Sequence, residues 1–321
     1  MIDLAPVVAT HWVHDLSPFL IRFTESFGIR WYGLAYVLGF LCAYLLLKSL
    51  VRKGCSELRE DQVADFITFA ALLGVMLGGR LGYMLFYDFD DFIHHPWIFF
   101  KFLQGGMASH GGILGLVIFT WFYAWKTKLS WPGLGDNLVT VSPVGIFFGR
   151  LANFVNGELY GHLTNSKLGI IFPRAVGELP TPERNDILNR FHASDVEHLV
   201  VMSRTSPEIQ QFLAGALQPR HPSQLYEALV EGLLLFLILL AIRLKWKNLY
   251  HGILTGLFFI LYAIGRIAVE NLRQPDAERI AGITRGQFYS VFMILIGVAF
   301  IVWALIVKRR NGDVRKSKRV A

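Results

Sequence analysis

The stretch Leu138–Glu158 reads LVTVSPVGIFFGRLANFVNGE and joins an apolar run to a cluster of polar side chains. The run Leu138–Phe148 has the composition of a membrane-embedded segment, and Arg150, Asn153 and Glu158 follow it closely. A charged side chain in hydrocarbon costs about 2.5 kcal/mol or more, so it persists only where it faces a cavity or a partner. An arginine beside amides at that depth is a ready receptor for the phosphate of a lipid head group.

The composition of the whole chain is that of a membrane protein. Of the 321 residues, 54% are hydrophobic and only 17% are charged, and the mean hydropathy is +0.44. Soluble domains carry roughly 25% charged residues. The 26 Phe, 8 Trp and 11 Tyr fit rings at membrane interfaces, and the 30 Gly fit close helix packing. A net charge of +7 would suggest nucleic acid for a soluble protein. Here the basic residues lie between or after the apolar runs, so we assign them to membrane topology and expect no nucleic-acid partner.

Seven segments are apolar and long enough, at roughly 20 residues, to cross a bilayer as helices. The sequence therefore predicts an all-α, polytopic integral membrane protein with a single membrane domain over residues 1–321. A short amphipathic stretch, Asp15–Ser26, is expected to lie on the membrane interface. The predicted spans are Ile29–Leu50, Val63–Phe86, Met107–Trp125, Leu134–Val155, Pro222–Ile242, Gly252–Glu270 and Gln287–Val307.

The charges between the spans predict the orientation of the chain. The tail from Lys308 onward is strongly basic, which favours a cytoplasmic C-terminus. Seven spans then place the N-terminus on the outer side of the membrane, together with the acidic loop Asp88–His95. The segment Asn156–Arg220 is rich in proline and charge, so we expect a small extramembrane domain on the outer side, inserted between the fourth and fifth spans. The cysteines, Cys42 in an apolar run and Cys55 in a basic loop, predict neither a disulfide nor a metal site.

Several polar residues beside the spans are open to a structural and a functional interpretation. Tyr32 fits an aromatic belt or a phenol in a head-group cavity. Arg80 fits a structural ion pair or a site residue, and the glycines around it predict a close approach between helices. His110 lies between two glycine pairs, where a helix is expected to start or break. Histidine is the side chain whose ordinary pKa suits proton transfer near neutrality, although a lone histidine is more often structural. The segment Arg220–Glu227 fits a helix entry.

Two arginines on different predicted spans favour an anion site. Arg150 and Asn153 are three residues apart and share a helix face, and Glu158 follows. Residues spaced by four, four and three line one face of the sixth span. These are Tyr262, Arg266, Glu270 and Arg273. Two arginines from different helices can neutralise a phosphate in a low dielectric. Their common place in the outer half of the predicted membrane favours a lipid-phosphate site over scattered ion pairs.

These motifs resemble those of the bacterial prolipoprotein diacylglyceryl transferase family. The family pattern G-R-x-G-N-F-x-N-x-E-x-x-G is matched by Gly149–Gly161, with Ala152 in place of a glycine. Arg30 stands where relatives often carry histidine, and the outer segment around Thr181–Gln218 matches less clearly. The resemblance covers nearly the whole chain. The further matching segments are Trp31–Leu34, Gly78–Tyr83, His110–Gly112, His221–Glu227, Arg266–Glu270 and Arg273–Asp276.

The resemblance implies transfer of a diacylglyceryl group from phosphatidylglycerol to the lipobox cysteine of a preprolipoprotein signal peptide, in the bacterial inner membrane. The products are a thioether and glycerol phosphate, and no metal or soluble cofactor is implied. His110 is then the candidate general base, and Arg150 and Arg266 are the candidate phosphate clamps. Glu158 and Glu270 are expected to orient the arginines. The candidate substrate-binding residues are Tyr32, Asn153, Asn156, Glu158, Gly161, Tyr262 and Glu270.

Two other classes of protein compete with this interpretation. A transporter or flippase for anionic lipids would also use membrane arginines, but it usually shows paired internal repeats, which we do not find. An intramembrane serine protease needs a serine paired with a histidine. Ser109 next to His110 does not supply that pair by itself, and the chain has no G-x-S-x-G motif.

Overall fold

The computed structural model describes residues 11–23, 28–101, 105–274 and 282–320, with side chains as far as Lys308. Ser26, the Pro275-Asp276 part of the last motif and the side chains of the basic tail beyond Lys308 lie outside the described residues. The long helices are Trp31–Arg52, Gln62–Tyr87, Ser109–Thr127, Trp131–Val155, Ser223–Lys245, Ile253–Glu270 and Arg285–Val320. The shorter helices are Phe89–His94, Thr181–Arg190, Val196–Ser203 and Pro207–Ala216. Strands Phe19–Arg22 and Gly28–Arg30 pair antiparallel just before the first long helix.

Six of these helices are long and apolar enough to cross a membrane, by length and composition, among the residues described. They coincide with six of the predicted spans, and they confirm an all-α, multi-pass membrane protein. The remaining predicted span, Met107–Trp125, corresponds to the helix Ser109–Thr127. Polar residues and glycines lower the mean hydropathy of this helix, so it is not one of the six. That it crosses the membrane stays a prediction.

Two of the long helices contain a wider, π-helical stretch. One is Ala70–Leu77 within Gln62–Tyr87, and the other is Ala228–Leu234 within Ser223–Lys245. Such turns are rare in regular helices and frequently occur at functional sites. The second stretch contains Glu231 and begins directly after Glu227, so both acidic residues lie at the π-helical part of a mostly apolar helix.

Contacts divide the chain into two compact units, and the division falls inside several of the long helices. The first unit comprises Met1–Leu38, Gly145–Leu235 and Leu261–Ile294. The second unit comprises Gly39–Val144, Phe236–Ile260 and Leu295–Ala321.

The predicted insert, Asn156–Arg220, has an apolar core of its own within the first unit. Phe172, Val176, Leu199 and Leu213 are almost completely buried in it. Burial of each such side chain contributes about 1.5–3 kcal/mol. Local signals start its helices: the Asp195 carboxylate accepts the His198 N–H at 2.8 Å, and the Ser206 hydroxyl oxygen accepts the Ile209 N–H at 3.4 Å. The insert is therefore a packed body of short helices.

The second unit has a core built around Leu47, Phe66 and Leu134. The predicted close approach of the glycines around Arg80 is confirmed, because a Cβ on Gly78 would lie 2.6 Å from the Gly111 carbonyl oxygen. Glycine at both positions lets the two helix backbones touch.

A buried carboxylate in the second unit caps a helix from another segment of the chain. Asp136 accepts the backbone N–H groups of Gly252 and Thr255, each at 2.8 Å, and the Thr255 hydroxyl at 2.7 Å. It thereby satisfies free donors at the start of the helix Ile253–Glu270.

Candidate active site

Three arginines and three glutamates of the first unit form one buried ion network. Its members are Arg150, Arg266, Arg273, Glu227, Glu231 and Glu270. Three positive and three negative groups give a formal charge of zero. Arg150 comes from the helix Trp131–Val155, the first two glutamates come from the helix Ser223–Lys245, and Arg266 comes from the helix Ile253–Glu270. Three predicted spans therefore meet at this network.

Glu227 is the centre of the network. Its Oε2 atom lies 2.9 Å from Nε of Arg150, 3.4 Å from Nη1 of Arg266 and 3.1 Å from Nη1 of Arg273. The Glu227 side chain is only 1% exposed. A carboxylate buried this deeply must be compensated, because desolvation costs several kcal/mol per ion. The three guanidinium groups provide that compensation.

Glu231 and Glu270 complete the contacts of the two arginines that the sequence singled out. Glu231 lies 3.4 Å from Nη2 of Arg150 through one oxygen and 3.6 Å from Nη1 of Arg266 through the other. Glu270 lies 2.9 Å from Nη2 of Arg266, one helical turn away. The side chain of Tyr262 also interacts with Arg150. Both guanidinium planes are thus fixed from more than one side.

The cations of the network are more accessible than its anions. The side chains of Arg150 and Arg266 are 20% and 14% exposed, whereas those of the three glutamates are at most 5% exposed. A ligand that reaches the network therefore meets guanidinium N–H groups first. Since guanidinium presents N–H donors in a fork that matches phosphate and carboxylate oxygens, this arrangement suits an oxyanion.

A second cluster joins three of the predicted substrate-binding residues. The Tyr32 hydroxyl donates to the Glu158 carboxylate. The Asn153 Nδ2 group donates to the Tyr32 hydroxyl and, at 3.0 Å, to Oε1 of Glu158. We expected Glu158 to orient an arginine, but here it accepts from a phenol and an amide. The difference arises in the turn after the helix, where Gly157 and Leu159 adopt φ values of +65° and +57° and redirect the chain.

The motif at the start of the fifth predicted span holds this turn in place. Gln224 Nε2 donates to the Glu158 carbonyl oxygen at 2.6 Å, and the Ser223 hydroxyl donates to the Leu159 carbonyl oxygen at 3.0 Å. The residues at this predicted helix start therefore also fix the conformation of the turn.

Gly161 lies at a close backbone approach. Its N–H donates to the His221 carbonyl oxygen at 2.8 Å, and a Cβ at this position would collide with the Leu272 carbonyl oxygen. These contacts give it a role in shaping the site through the backbone.

Two buried amide oxygens in this region have no hydrogen-bond partner among the described residues. They are Oδ1 of Asn156 and Oε1 of Gln224. A buried acceptor left unsatisfied costs about 1–3 kcal/mol, so such an atom is suited to receive a donor from a ligand. Asn156 was among the predicted substrate-binding residues, whereas Gln224 was not.

Glycines make room for the charged side chains. A Cβ on Gly232 would lie 2.7 Å from Cα of Phe147, so glycine lets the helix with Glu231 approach the helix with Arg150. A Cβ on Gly286 would lie 2.6 Å from Oε1 of Glu270. Close packing of helices around these two glycines positions the network.

His110 belongs to the second unit, unlike the other nine predicted site residues. It is exposed at the start of the helix Ser109–Thr127. Arg80 holds the preceding loop: it is buried and donates to the carbonyl oxygens of Phe99, Gly105 and Gly106 at 3.1, 2.6 and 3.0 Å. Of the two interpretations offered for Arg80, these contacts favour a structural one, although its observed partners are backbone carbonyls.

The sequence interpretation missed Glu227 and Glu231 as members of the site. The signal was present, because an acidic residue inside an apolar span is by default a candidate for function. The two residues are four positions apart and share a helix face. In the part of the chain that is described, no group of three or more His, Cys, Asp or Glu side chains is arranged to hold a metal ion.

Comparison with known sequences agrees with these motifs. The prolipoprotein diacylglyceryl transferase family model matches residues 18–303. A protein of Bdellovibrio bacteriovorus is 36% identical over 91% of this chain and 94% of its own length. Proteins of Legionella pneumophila strain Lens and Stenotrophomonas maltophilia are 38% and 37% identical, over 86% and 91% of this chain and 92% of their own lengths. All three are named phosphatidylglycerol–prolipoprotein diacylglyceryl transferase. The chain therefore belongs to the prolipoprotein diacylglyceryl transferase family.

Proposed function

We propose that this protein transfers the diacylglyceryl group of phosphatidylglycerol to a cysteine thiol of a prolipoprotein, the activity named for its relatives. The observation that carries the proposal is that Arg150 and Arg266 are partly accessible, whereas the glutamates that hold them are buried. We propose that the accepting thiol is the lipobox cysteine of the signal peptide.

The reaction is a displacement at a glycerol carbon. The thiol loses its proton, a carbon–sulfur bond forms, the carbon–oxygen bond to phosphate breaks, and glycerol phosphate leaves. Negative charge develops on the leaving phosphate, so donors fixed in advance at that position lower the barrier. Arg150 and Arg266 serve as these donors. Glu227 and Glu231 hold both guanidinium groups before the substrate arrives, so little reorganisation accompanies the reaction.

The head group and diacylglycerol must also be held in line with the thiol. Asn153, on the helix that carries Arg150, forms a hydrogen-bonding cluster with Glu158 from the following turn and with Tyr32 from the helix Trp31–Arg52. The unpartnered oxygens of Asn156 and Gln224 accept hydroxyl groups of the glycerol head group. Tyr262 contributes through Arg150, Glu270 contributes through Arg266, and Gly161 contributes through the backbone approach that shapes the turn.

The thiol must reach its thiolate form, because the thiolate is the nucleophile. We propose His110 as the general base, since imidazole can accept a proton near neutral pH.

We also propose the compartment and the orientation. The chain forms a single membrane domain of the bacterial inner membrane, with the insert 156–220 and the N-terminus in the periplasm and the C-terminus in the cytoplasm. The basic tail and the acidic Asp88–His95 loop support this orientation. A reporter that works only outside the cytoplasm, fused to the C-terminus, should stay inactive; activity would reverse the orientation.

The test is formation of the thioether from phosphatidylglycerol vesicles and a lipobox peptide. Arg150→Lys and Arg266→Lys should each lose roughly a hundredfold to a thousandfold in rate while the protein still folds, because a point charge cannot replace the guanidinium fork. Arg59→Lys is the matched control, since Arg59 is 71% exposed and pairs only with Asp61 among its described ionic contacts. Wild-type rates in both site variants would end the clamp proposal. Movement of lipid without thioether would indicate a transporter.

A further inference from the structure

A cavity of about 490 Å³ lies in the second unit where three candidate membrane spans end. Ser223–Lys245 ends at it, Ile253–Glu270 begins at it, and Arg285–Lys308 ends at it. Since the limits of apolar spans mark the edge of the hydrocarbon layer, the cavity lies at the boundary between acyl chains and water. None of its lining residues belongs to the ion network.

The charges that line the cavity have one sign. Lys245, Lys247 and Lys308 line it, and the described lining includes no aspartate or glutamate. The Nζ atom of Lys245 lies 4.7 Å from the centre of the Trp246 ring, and that of Lys308 lies 5.5 Å from the centre of the Tyr250 ring. These cation–π contacts bias two ammonium groups toward the cavity rim without neutralising them. Among the described residues, no acidic side chain balances the positive charge of the cavity.

The other part of the lining is apolar. Leu244, Leu249, Ile253 and Leu305 contribute it, and Leu305 is about half exposed. Trp246 and Tyr250 are also exposed, and such rings favour the head-group level of a bilayer. One side of the cavity thus suits an anion and the other suits hydrocarbon, a combination found in a phospholipid with an acidic head group. The volume falls in the range that holds a small-molecule group.

We propose that this cavity binds the head-group phosphate of an anionic phospholipid, with the lysines contacting the phosphate and the leucines contacting the upper acyl chain. Basic pockets between membrane helices are known to bind anionic head groups. This lipid is a bound partner of the protein in addition to the substrate, and the proposal does not depend on the transfer reaction.

The test counts bound lipids on the purified full-length protein by native mass spectrometry. Wild type and the triple variant Lys245→Gln/Lys247→Gln/Lys308→Gln are titrated with phosphatidic acid, phosphatidylcholine and, separately, soluble glycerol phosphate. Since each lysine near an anionic surface contributes roughly fivefold in affinity, the triple variant should bind phosphatidic acid at this site about a hundredfold more weakly. Phosphatidylcholine retention should not change.

The matched control is Lys53→Gln/Lys126→Gln/Lys128→Gln, which removes the same charge from positions that do not line the cavity. It should retain phosphatidic acid like wild type, and an equal loss would overturn the proposal as an effect of net charge. Soluble glycerol phosphate that binds with the same dependence on the three lysines would overturn the lipid assignment. Thioether formation by the cavity variant should stay near the wild-type rate, so failure of this proposal is separable from failure of the catalytic one. If the triple variant does not fold, Lys308→Gln alone should show the fivefold loss, and wild-type affinity in that variant would refute the site.

Discussion

Replacing Glu227 with glutamine would leave three arginines facing two glutamates in the buried network. Glutamine keeps the shape and one acceptor oxygen, but it removes the charge and replaces the other oxygen with an amide donor. The lost charge lies within 2.9, 3.1 and 3.4 Å of guanidinium nitrogens from three arginines. Removing one partner of a buried ion pair costs about 3–5 kcal/mol, and the 1% exposure of this side chain leaves almost no screening by water. We expect a loss of stability in that range.

The matched variant is Glu270→Gln, because the described ion pairs of Glu270 involve only Arg266. Both variants are unfolded thermally and with denaturant in a neutral detergent, with and without added phosphatidylglycerol. Glu227→Gln should lose clearly more stability than Glu270→Gln. Anionic lipid should restore part of the loss, since its phosphate can neutralise the surplus cation, and phosphatidylcholine should not. Equal effects of the two substitutions, or a wild-type unfolding midpoint for Glu227→Gln, would refute the central role of Glu227.

Three further results are expected. Burial lowers the pKa of His14 from 6.5 to about 4, so between these two pH values the unfolded chain binds a proton that the folded chain does not. As pH falls through this range, the free energy of unfolding of wild type should fall by about 3 kcal/mol relative to that of His14→Gln. A difference in stability that does not depend on pH would contradict this. His110→Ala should reduce the transfer rate by a factor that shrinks as pH rises, because hydroxide increasingly replaces the base, and a constant factor would remove His110 from that role. Cys42→Ala/Cys55→Ala should keep its activity in the presence of a chelator, and inactivity of the folded variant would reveal a thiol or metal requirement.

The membrane-spanning helices could be predicted from the sequence because each apolar segment is long and repeats the same signal at many positions. Each confirmed span repeats apolar residues over some twenty positions, so a few polar interruptions do not hide it. The helix Ser109–Thr127 shows the limit: its first turn combines Ser109 and His110 with glycines, and composition alone does not decide whether it crosses the membrane. A close helix approach at Gly78 was foreseeable because glycines recur around Arg80, but its partner Gly111 was not predicted.

The contacts between residues of the site were harder to predict from the sequence. Spacing along one helix placed Arg266 beside Glu270, and the structure agrees. Contacts between different helices depend on their rotation and depth, which spacing within one segment does not encode. Glu227 therefore passed as part of a helix entry, although it contacts three arginines. Glu158 was paired with an arginine because it follows Arg150 closely and the two can form an ion pair. The turn in which Glu158 lies includes a positive φ at Leu159, which is unusual for leucine and carries no sequence signal.

The neutral sum of the ion network has a consequence for biosynthesis. The ribosome delivers Arg150 first, and the network segment then carries a charge of +1. Glu227 and Glu231 bring the charge to −1, Arg266 neutralises it, Glu270 returns it to −1, and Arg273 brings the complete network to zero. A nascent chain arrested between Glu270 and Arg273 would hold a surplus acidic charge among apolar helices, where ions are poorly tolerated. Arg273 is thus the last residue that the balanced network requires, and a chain truncated just before it should be less stable than the full-length protein.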